Sequence, residues 1–142
     1  GFVFYTNFNS KKGNELKVNQ RASMCFHWKS LRRQVRIIGK VEKVTDIEAD
    51  DYFNSRPYKN KIGAWASSQS EILDNRNIFF KKIEEFENKY PDQKNVPRPP
   101  HWSGWRVLPS EVEFWVDGEG RIHERLKYKK LSDKWLKELL YP

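Results

Sequence analysis

The chain has 142 residues, with 27 lysines and arginines against 19 aspartates and glutamates, for a formal net charge of +8. At 37% hydrophobic and 15% aromatic residues it holds enough apolar surface for a core, which excludes a disordered chain. No run approaches the ~20 apolar residues that span a bilayer, and no signal peptide is visible.

Phe2 to Thr6 is rich in aromatic and β-branched residues and predicts a strand. Asn7 to Asn14 has loop chemistry. Ala22 to Trp28 predicts a second strand, with Cys25 expected as a buried structural thiol among Ala22, Met24 and Phe26. Gln34 to Val44 predicts a third, with Val35, Ile37 and Val41 on one face and Gly39 marking a bulge or a close backbone approach. Thr45 and Glu48 have capping-box spacing, so a helix is expected from there to about Asn54, before Pro57. Ile62 to Ala66 is a short apolar segment. Asp74 is expected to cap a longer helix that places Phe79, Ile83, Phe86 and Tyr90 on one face and ends at Pro91. Residues 95–100 include three prolines and predict an extended connection. Trp105 to Leu108, Glu111 to Val116, Arg121 to Tyr128 and Trp135 to Leu140 read as strands. Three strands, helices and four more strands predict a mainly β, α+β arrangement: one antiparallel barrel domain over residues 1–142 with helices outside.

Charge points to an anionic partner, whether nucleic acid, a membrane surface or phosphorylated small molecules. Cys25 is the only cysteine, so no internal disulfide and no cysteine-built zinc site can form. A reducing, cytoplasmic compartment fits. In the last long strand, Arg121, His123, Arg125 and Lys127 alternate with Ile122, Glu124, Leu126 and Tyr128. A strand would put the four on one face, a row that repels itself unless an anion lies over it. Phosphate suits arginine's two-pronged geometry. For Lys127 alone a solvated edge strand accounts for the residue; Arg121, His123 and Arg125 together indicate a site.

Other candidates are weaker. Ser10-Lys11-Lys12 suits a terminal phosphate, but an ordinary solvated turn explains it better. Tyr52 and Arg56 would share a helix face, with Asn60 four residues on; a second phosphate site and a surface helix end explain this equally well. Gln69-Ser70 and Gln34 can hydrogen-bond a phosphate or a heterocycle edge, as many loop residues can. Trp115 could stack on a flat ring, although a buried tryptophan is commoner. There is no P-loop, no dinucleotide fingerprint and no metal-binding histidine pair at helical spacing. His27 and His101 have no evident acidic partner. A protein with anion sites and no nucleophile of its own suits redox chemistry carried by a bound cofactor.

Six short runs, in order along the whole chain, carry a resemblance. They are Gly1-Phe2-Val3-Phe4-Tyr5-Thr6-Asn7; Arg33-Gln34-Val35; Tyr52-Phe53 with Ser55-Arg56-Pro57; Ile62-Gly63-Ala64-Trp65 with Gln69-Ser70; Glu113-Phe114-Trp115; and Arg121-Ile122-His123-Glu124-Arg125. Together they resemble the pyridoxine/pyridoxamine 5′-phosphate oxidase family. The resemblance implies an FMN-binding split β-barrel that forms a homodimer, with FMN at the dimer interface. It implies oxidation of pyridoxamine or pyridoxine 5′-phosphate to pyridoxal 5′-phosphate, with dioxygen as acceptor and hydrogen peroxide as product. By motif, Tyr5, Thr6, Lys11, Lys12, Gln34, Gln69, Ser70, Trp115 and Arg125 look like FMN contacts. Tyr52, Arg56 and Asn60 look like the substrate-phosphate set, and Arg121, Ile122 and His123 like the segment over the substrate ring, with Arg121 and His123 as the catalytic pair. Lys11 stands where arginine is usual and Asn60 where serine is common. The family's N-terminal segment, with an arginine and a lysine before the first barrel strand, is absent from these 142 residues.

Two other readings compete. Another split-barrel flavoprotein, flavin reductase-like or haem-handling, is opposed by Tyr52, Arg56, Arg121 and His123. A non-catalytic binder of pyridoxal phosphate, FMN or nucleic acid would share the positive charge and the aromatics. A strand binder's basic residues should spread along a groove, whereas these motifs suit two compact phosphate sites. No nucleic-acid or membrane partner is therefore expected.

Overall fold

The computed structural model describes residues 1–142. In chain order it contains β1 (Phe2–Asn7), α1 (Lys11–Val18), β2 (Arg21–Trp28), β3 (Arg33–Lys43), α2 (Asp46–Ser55), α3 (Tyr58–Ala66), α4 (Arg76–Lys89), β4 (Trp102–Val116), β5 (Glu124–Leu131) and β6 (Lys134–Leu140). The six strands form one sheet in the order β2-β3-β4-β5-β6, with β1 paired to β4. The chain folds into two compact units, Gly1–Phe2 with Gln20–Glu42 and Arg106–Pro142, and Val3–Asn19 with Lys43–Trp105.

The first unit is built from β-strands. β2 and β3 pair antiparallel with Phe26 opposite Val35 and His27 opposite Gln34. Alternation along β3 buries Ile37, Gly39 and Val41 and exposes Arg36, Ile38 and Lys40. A side chain at Gly39 would start 2.0 Å from the Leu108 carbonyl oxygen, so the strands meet there as closely as the sequence suggests. Cys25 departs from expectation and is exposed. The period-2 pattern of β2 half-buries Ala22, Met24 and Phe26 and turns Cys25 to the other face.

The two strands expected on either side of Pro109 are one, β4. Ser110, next to the proline, donates its hydroxyl to the Ile38 carbonyl at 3.2 Å. β4, β5 and β6 pair antiparallel, with Trp115 opposite Arg125 and Glu113 opposite Lys127. β5 starts at Glu124, later than expected. Residues 119–121 form a single 3₁₀ turn in which Gly120 and Arg121 have φ of 62° and 65°. The chain doubles back so tightly that a side chain on Gly118 would lie 1.9 Å from the Ile122 carbonyl oxygen. Only Arg125 and Lys127 of the basic row therefore belong to the strand.

The second unit holds the helices. Ser10 is fully buried and organises the turn after β1: its hydroxyl donates to the Asn7 carbonyl at 2.6 Å and accepts from the Gly13 N–H at 3.2 Å. That cap starts α1 at Lys11, inside the stretch expected to be loop. α2 opens on the expected capping box, Glu48 N–H to Thr45 hydroxyl at 3.2 Å and Thr45 N–H back to the Glu48 carboxylate at 3.3 Å. Arg56 and Pro57 are extended, and α3 then starts directly on Tyr58, with no side-chain cap to announce it. Asn75, rather than Asp74, caps α4 through its side-chain oxygen and the Asn77 N–H at 2.8 Å. The core of this unit is Phe53, Ile62, Val96 and Trp102, against which Ile83, Phe86 and Tyr90 of α4 pack. The proline-rich connection is held by Arg98, which donates to Asp50 at 2.6 Å, Asp46 at 2.8 Å and the Trp102 carbonyl at 2.8 Å. No helix is long and apolar enough to cross a membrane.

Candidate functional site

Within the helical unit, α2, α3 and the start of β4 bring aromatic rings and a guanidinium together. The rings of Tyr5, Tyr52 and Trp102 are nearly parallel: Tyr5 stacks on Tyr52 at 3.9 Å and on Trp102 at 5.1 Å. Arg56 lies over Trp102 at 4.8 Å and Phe53 at 5.7 Å. It follows the last turn of α2 rather than sharing a helix face with Tyr52, because Pro57 forces its backbone out of the helix (ψ 147°). The Arg56 Nη1 atom is buried and has no hydrogen-bond partner. Burial pulls this guanidinium below its ordinary value, and the nearby Tyr52 hydroxyl partly offsets the shift. A buried N–H of this kind is expensive to leave unmade, and an acceptor beside Nη1 would satisfy it.

Arg56 opens on a cavity of about 320 Å³ whose polar lining is Asn7, Arg56, Lys59, Asn60, Ser67 and Gln69. Gln69 accepts from the Asn7 N–H at 3.3 Å, and Asn7 donates its side-chain amide to the Ser67 carbonyl at 3.3 Å. Ser70, with φ of 76°, lines a neighbouring cavity of about 460 Å³ together with Gln69. Thr6 is buried at the end of β1, and its hydroxyl has no partner. Lys11 and Lys12 are exposed in the first turn of α1, with the Lys12 ammonium 5.7 Å from the Phe4 ring. A buried unpartnered hydroxyl and two cations at a helix N-terminus are the donor set that a phosphate monoester takes.

In the strand unit, Trp115 and Arg125 face each other across β4 and β5. The His123 ring lies 4.8 Å from that of Trp115. Its Nδ1 accepts from the Gly118 N–H at 3.2 Å and sits 3.2 Å from an Asp117 carboxylate oxygen. Asp117 is held in turn by Arg32 Nε at 2.7 Å. Arg121 and Ile122 are exposed in the turn before β5, and Gln34 is half-buried on β3. Arg125 donates from Nε to Glu113 at 2.9 Å and from Nη1 to the Tyr141 carbonyl at 2.9 Å, while Arg36 bonds the other Glu113 oxygen. Burial pushes the Glu113 carboxyl up, but the hydrogen bonds and charges of Arg125 and Arg36 outweigh it and hold the group below its ordinary value. Arg36, Glu111, Glu113, Arg125 and Lys127 line a cavity of about 260 Å³.

The predicted residues thus fall into two sets. Tyr5, Tyr52, Arg56, Asn60 and Gln69 gather around one helical region, with Thr6, Lys11, Lys12 and Ser70 in the same unit. Gln34, Trp115, Arg121, Ile122, His123 and Arg125 belong to the strand unit. Sequence reasoning missed Asn7, Lys59 and Trp102 in the first set, and Glu113, Arg36 and Asp117 in the second. Asn7 and Glu113 stand inside the motif runs and Asp117 opens the Asp-Gly turn beside His123, but none of the three was singled out. The others come together through strand pairing and helix packing.

An antiparallel six-stranded sheet with four helices is the architecture of a split β-barrel protein of the FMN-binding class. Residues 1–90 match the family described as Pyridoxamine 5′-phosphate oxidase, and residues 102–142 match its Pyridoxine 5′-phosphate oxidase C-terminal dimerisation region. The chain belongs to the pyridoxamine 5′-phosphate oxidase family. Its relatives include the pyridoxine/pyridoxamine 5′-phosphate oxidases of Pelagibacter ubique, 60% identical, and Allorhizobium ampelinum, 50% identical, each matched over the whole of this chain and 69% of its own length. Among solved structures, PhzG from Burkholderia lata, in complex with tetrahydrophenazine-1-carboxylic acid, superposes with a TM-score of 0.91 at 30% identity, over 100% of this chain and 69% of that one. A pyridoxamine 5′-phosphate oxidase-related, FMN-binding protein from Nostoc punctiforme shares the fold, with a TM-score of 0.75 at 16% identity over 99% of this chain and 72% of its own.

Proposed function

We propose that residues 1–142 act as one FMN-binding domain of a homodimeric oxidase that converts pyridoxamine or pyridoxine 5′-phosphate to pyridoxal 5′-phosphate. The alcohol and one dioxygen give the aldehyde and hydrogen peroxide; the amine also takes up water and releases ammonia. Bound FMN would supply the hydride acceptor for the substrate C4′ carbon and the electrons for dioxygen. The observation that carries the reading is the buried, unpartnered Nη1 of Arg56 in a cavity shared with Lys59 and Asn60, in a chain 60% identical to a protein named for this activity.

The roles are those the family resemblance implies, and the chemistry of each group suits them. Arg56, Tyr52 and Asn60 hold the substrate phosphate. Thr6, Lys11 and Lys12 hold the FMN phosphate, and Tyr5, Gln34, Gln69, Ser70, Trp115 and Arg125 the rest of the nucleotide. Arg121 and His123 lie over the substrate ring. Nδ1 of His123 is engaged by the Gly118 N–H and lies beside the Asp117 carboxylate, which leaves Nε2 as the ring nitrogen for substrate. Protein groups need only align the two rings and steer charge. The B6 ester is preferred to a tetrahydrophenazine carboxylate because the relatives at 50–60% identity carry the B6 name.

Arg121→Ala tests the assignment. Flavin content should survive, while oxygen-dependent formation of pyridoxal 5′-phosphate falls by roughly 100-fold. Full turnover in that variant rejects the role of Arg121. A wild-type protein that takes up no FMN, or forms no peroxide with pyridoxamine 5′-phosphate, rejects the function.

A further inference from the structure

We infer that Glu113 is a positioning residue for the flavin, which fixes the guanidinium of Arg125 by a charged hydrogen bond in the wall of the β3–β4–β5 cavity. The inference rests on the FMN reading above and extends it to a residue that does not touch the nucleotide. Glu113 is 8% exposed, and both its oxygens are used, Oε1 by Arg125 and Oε2 by Arg36. Pairing of Glu113 with Lys127 and of Trp115 with Arg125 puts Glu113, Trp115, Arg125 and Lys127 on one face of the β4–β5 ladder.

A carboxylate beside Arg125 competes with a ligand for its N–H donors. Geometry explains its presence. Arginine has five N–H donors in a rigid fork and a long flexible stem. Glu113 takes the Nε donor and the Tyr141 carbonyl takes one Nη1 donor. Anchors at Nε and at Nη1 set the plane of the guanidinium and leave three N–H groups, two of them on Nη2, for a ligand. The second cation, Arg36, offsets the carboxylate charge, and the cavity lining stays net positive with Arg36, Arg125 and Lys127 against Glu111 and Glu113. Without Glu113 the same arginine samples several rotamers, and binding must order it first.

The test compares FMN titrations, read by quenching of flavin fluorescence, of wild type, Glu113→Gln, Glu113→Asp and Arg36→Gln. Glu113→Gln takes the charge from both of its hydrogen bonds and Arg36→Gln removes only one of them, so both should lose thermal stability, Glu113→Gln the more. Flavin Kd should rise about tenfold in Glu113→Gln, the size of one charged hydrogen bond, and stay within about twofold of wild type in Arg36→Gln. Glu113→Asp keeps the charge but withdraws the oxygens, and it too should weaken FMN binding. It supplies the measurement if Glu113→Gln does not fold. At saturating FMN the KM for pyridoxamine 5′-phosphate should be unchanged in all of them. Wild-type flavin affinity in the Glu113 variants, or an equal loss in Arg36→Gln, overturns the positioning role while leaving the oxidase reading intact. Failure of the wild type to bind FMN overturns both.

Discussion

Arg56 carries opposing energies in one side chain. Its cation–π contacts with Trp102 and Phe53 contribute about 0.5–2 kcal/mol. Leaving Nη1 buried without a partner costs about 1–3 kcal/mol. The terms nearly cancel, so the fold gains little from this side chain. Arg56→Met should therefore change apo stability by no more than about 1 kcal/mol, while the KM for pyridoxamine 5′-phosphate rises by roughly 100-fold and flavin Kd holds steady. Steady-state kinetics beside a thermal melt would check this. A melt that collapses together with KM would mark Arg56 as a structural residue.

Elements were legible where a local rule decides them. The Thr45–Glu48 spacing placed the start of α2, because a capping box is encoded within four residues. Gly39 announced close strand contact, and the apolar period of α4 gave the half-buried face that packs on the core. Thr45→Ala should lower stability by about 1 kcal/mol, seen as a shift in the urea midpoint; no shift would mean that packing alone holds the α2 terminus. The misreadings share a cause. α1 is started by a buried serine whose cap depends on the turn after β1. α3 follows a proline without a side-chain cap. Arg121 leaves the strand because residues 117–123 double back through two positive-φ positions. The same holds at the site. Its residue types could be read from motifs, but the partners of Arg125 and His123 depend on strand register and turn geometry, which a linear sequence does not display.

At the scale of the whole molecule, charge and assembly set the measurable behaviour. Glu113, faced by Arg36 from β3 and by Arg125 and Lys127 from β5, titrates below its ordinary value near 4.5. As pH falls the unfolded chain takes up this proton before the folded one does. The stabilisation is thus present in full above about pH 4.5 and is lost as pH drops through the folded value. Glu113→Gln should flatten that part of the acid limb in urea midpoints taken from about pH 6 to about pH 3; an unchanged slope would assign the acid sensitivity to other carboxylates. Assembly is tested at the far edge of the sheet. β6 is a terminal strand within the region that matches the family's dimerisation segment, and it leaves Leu139 83% exposed. An edge strand is an unpaired surface that natural sheets protect, and a homodimer formed through β6 would cover Leu139. Burying one leucine contributes about 1.5–3 kcal/mol, and it does so twice across a two-fold interface. Leu139→Glu should therefore raise the dimer dissociation constant by at least about 100-fold, read by sedimentation across a dilution series. If FMN is shared between subunits, flavin should leave in step with dissociation. A Leu139→Glu protein that stays dimeric at the same concentrations places the contact on another surface of the chain.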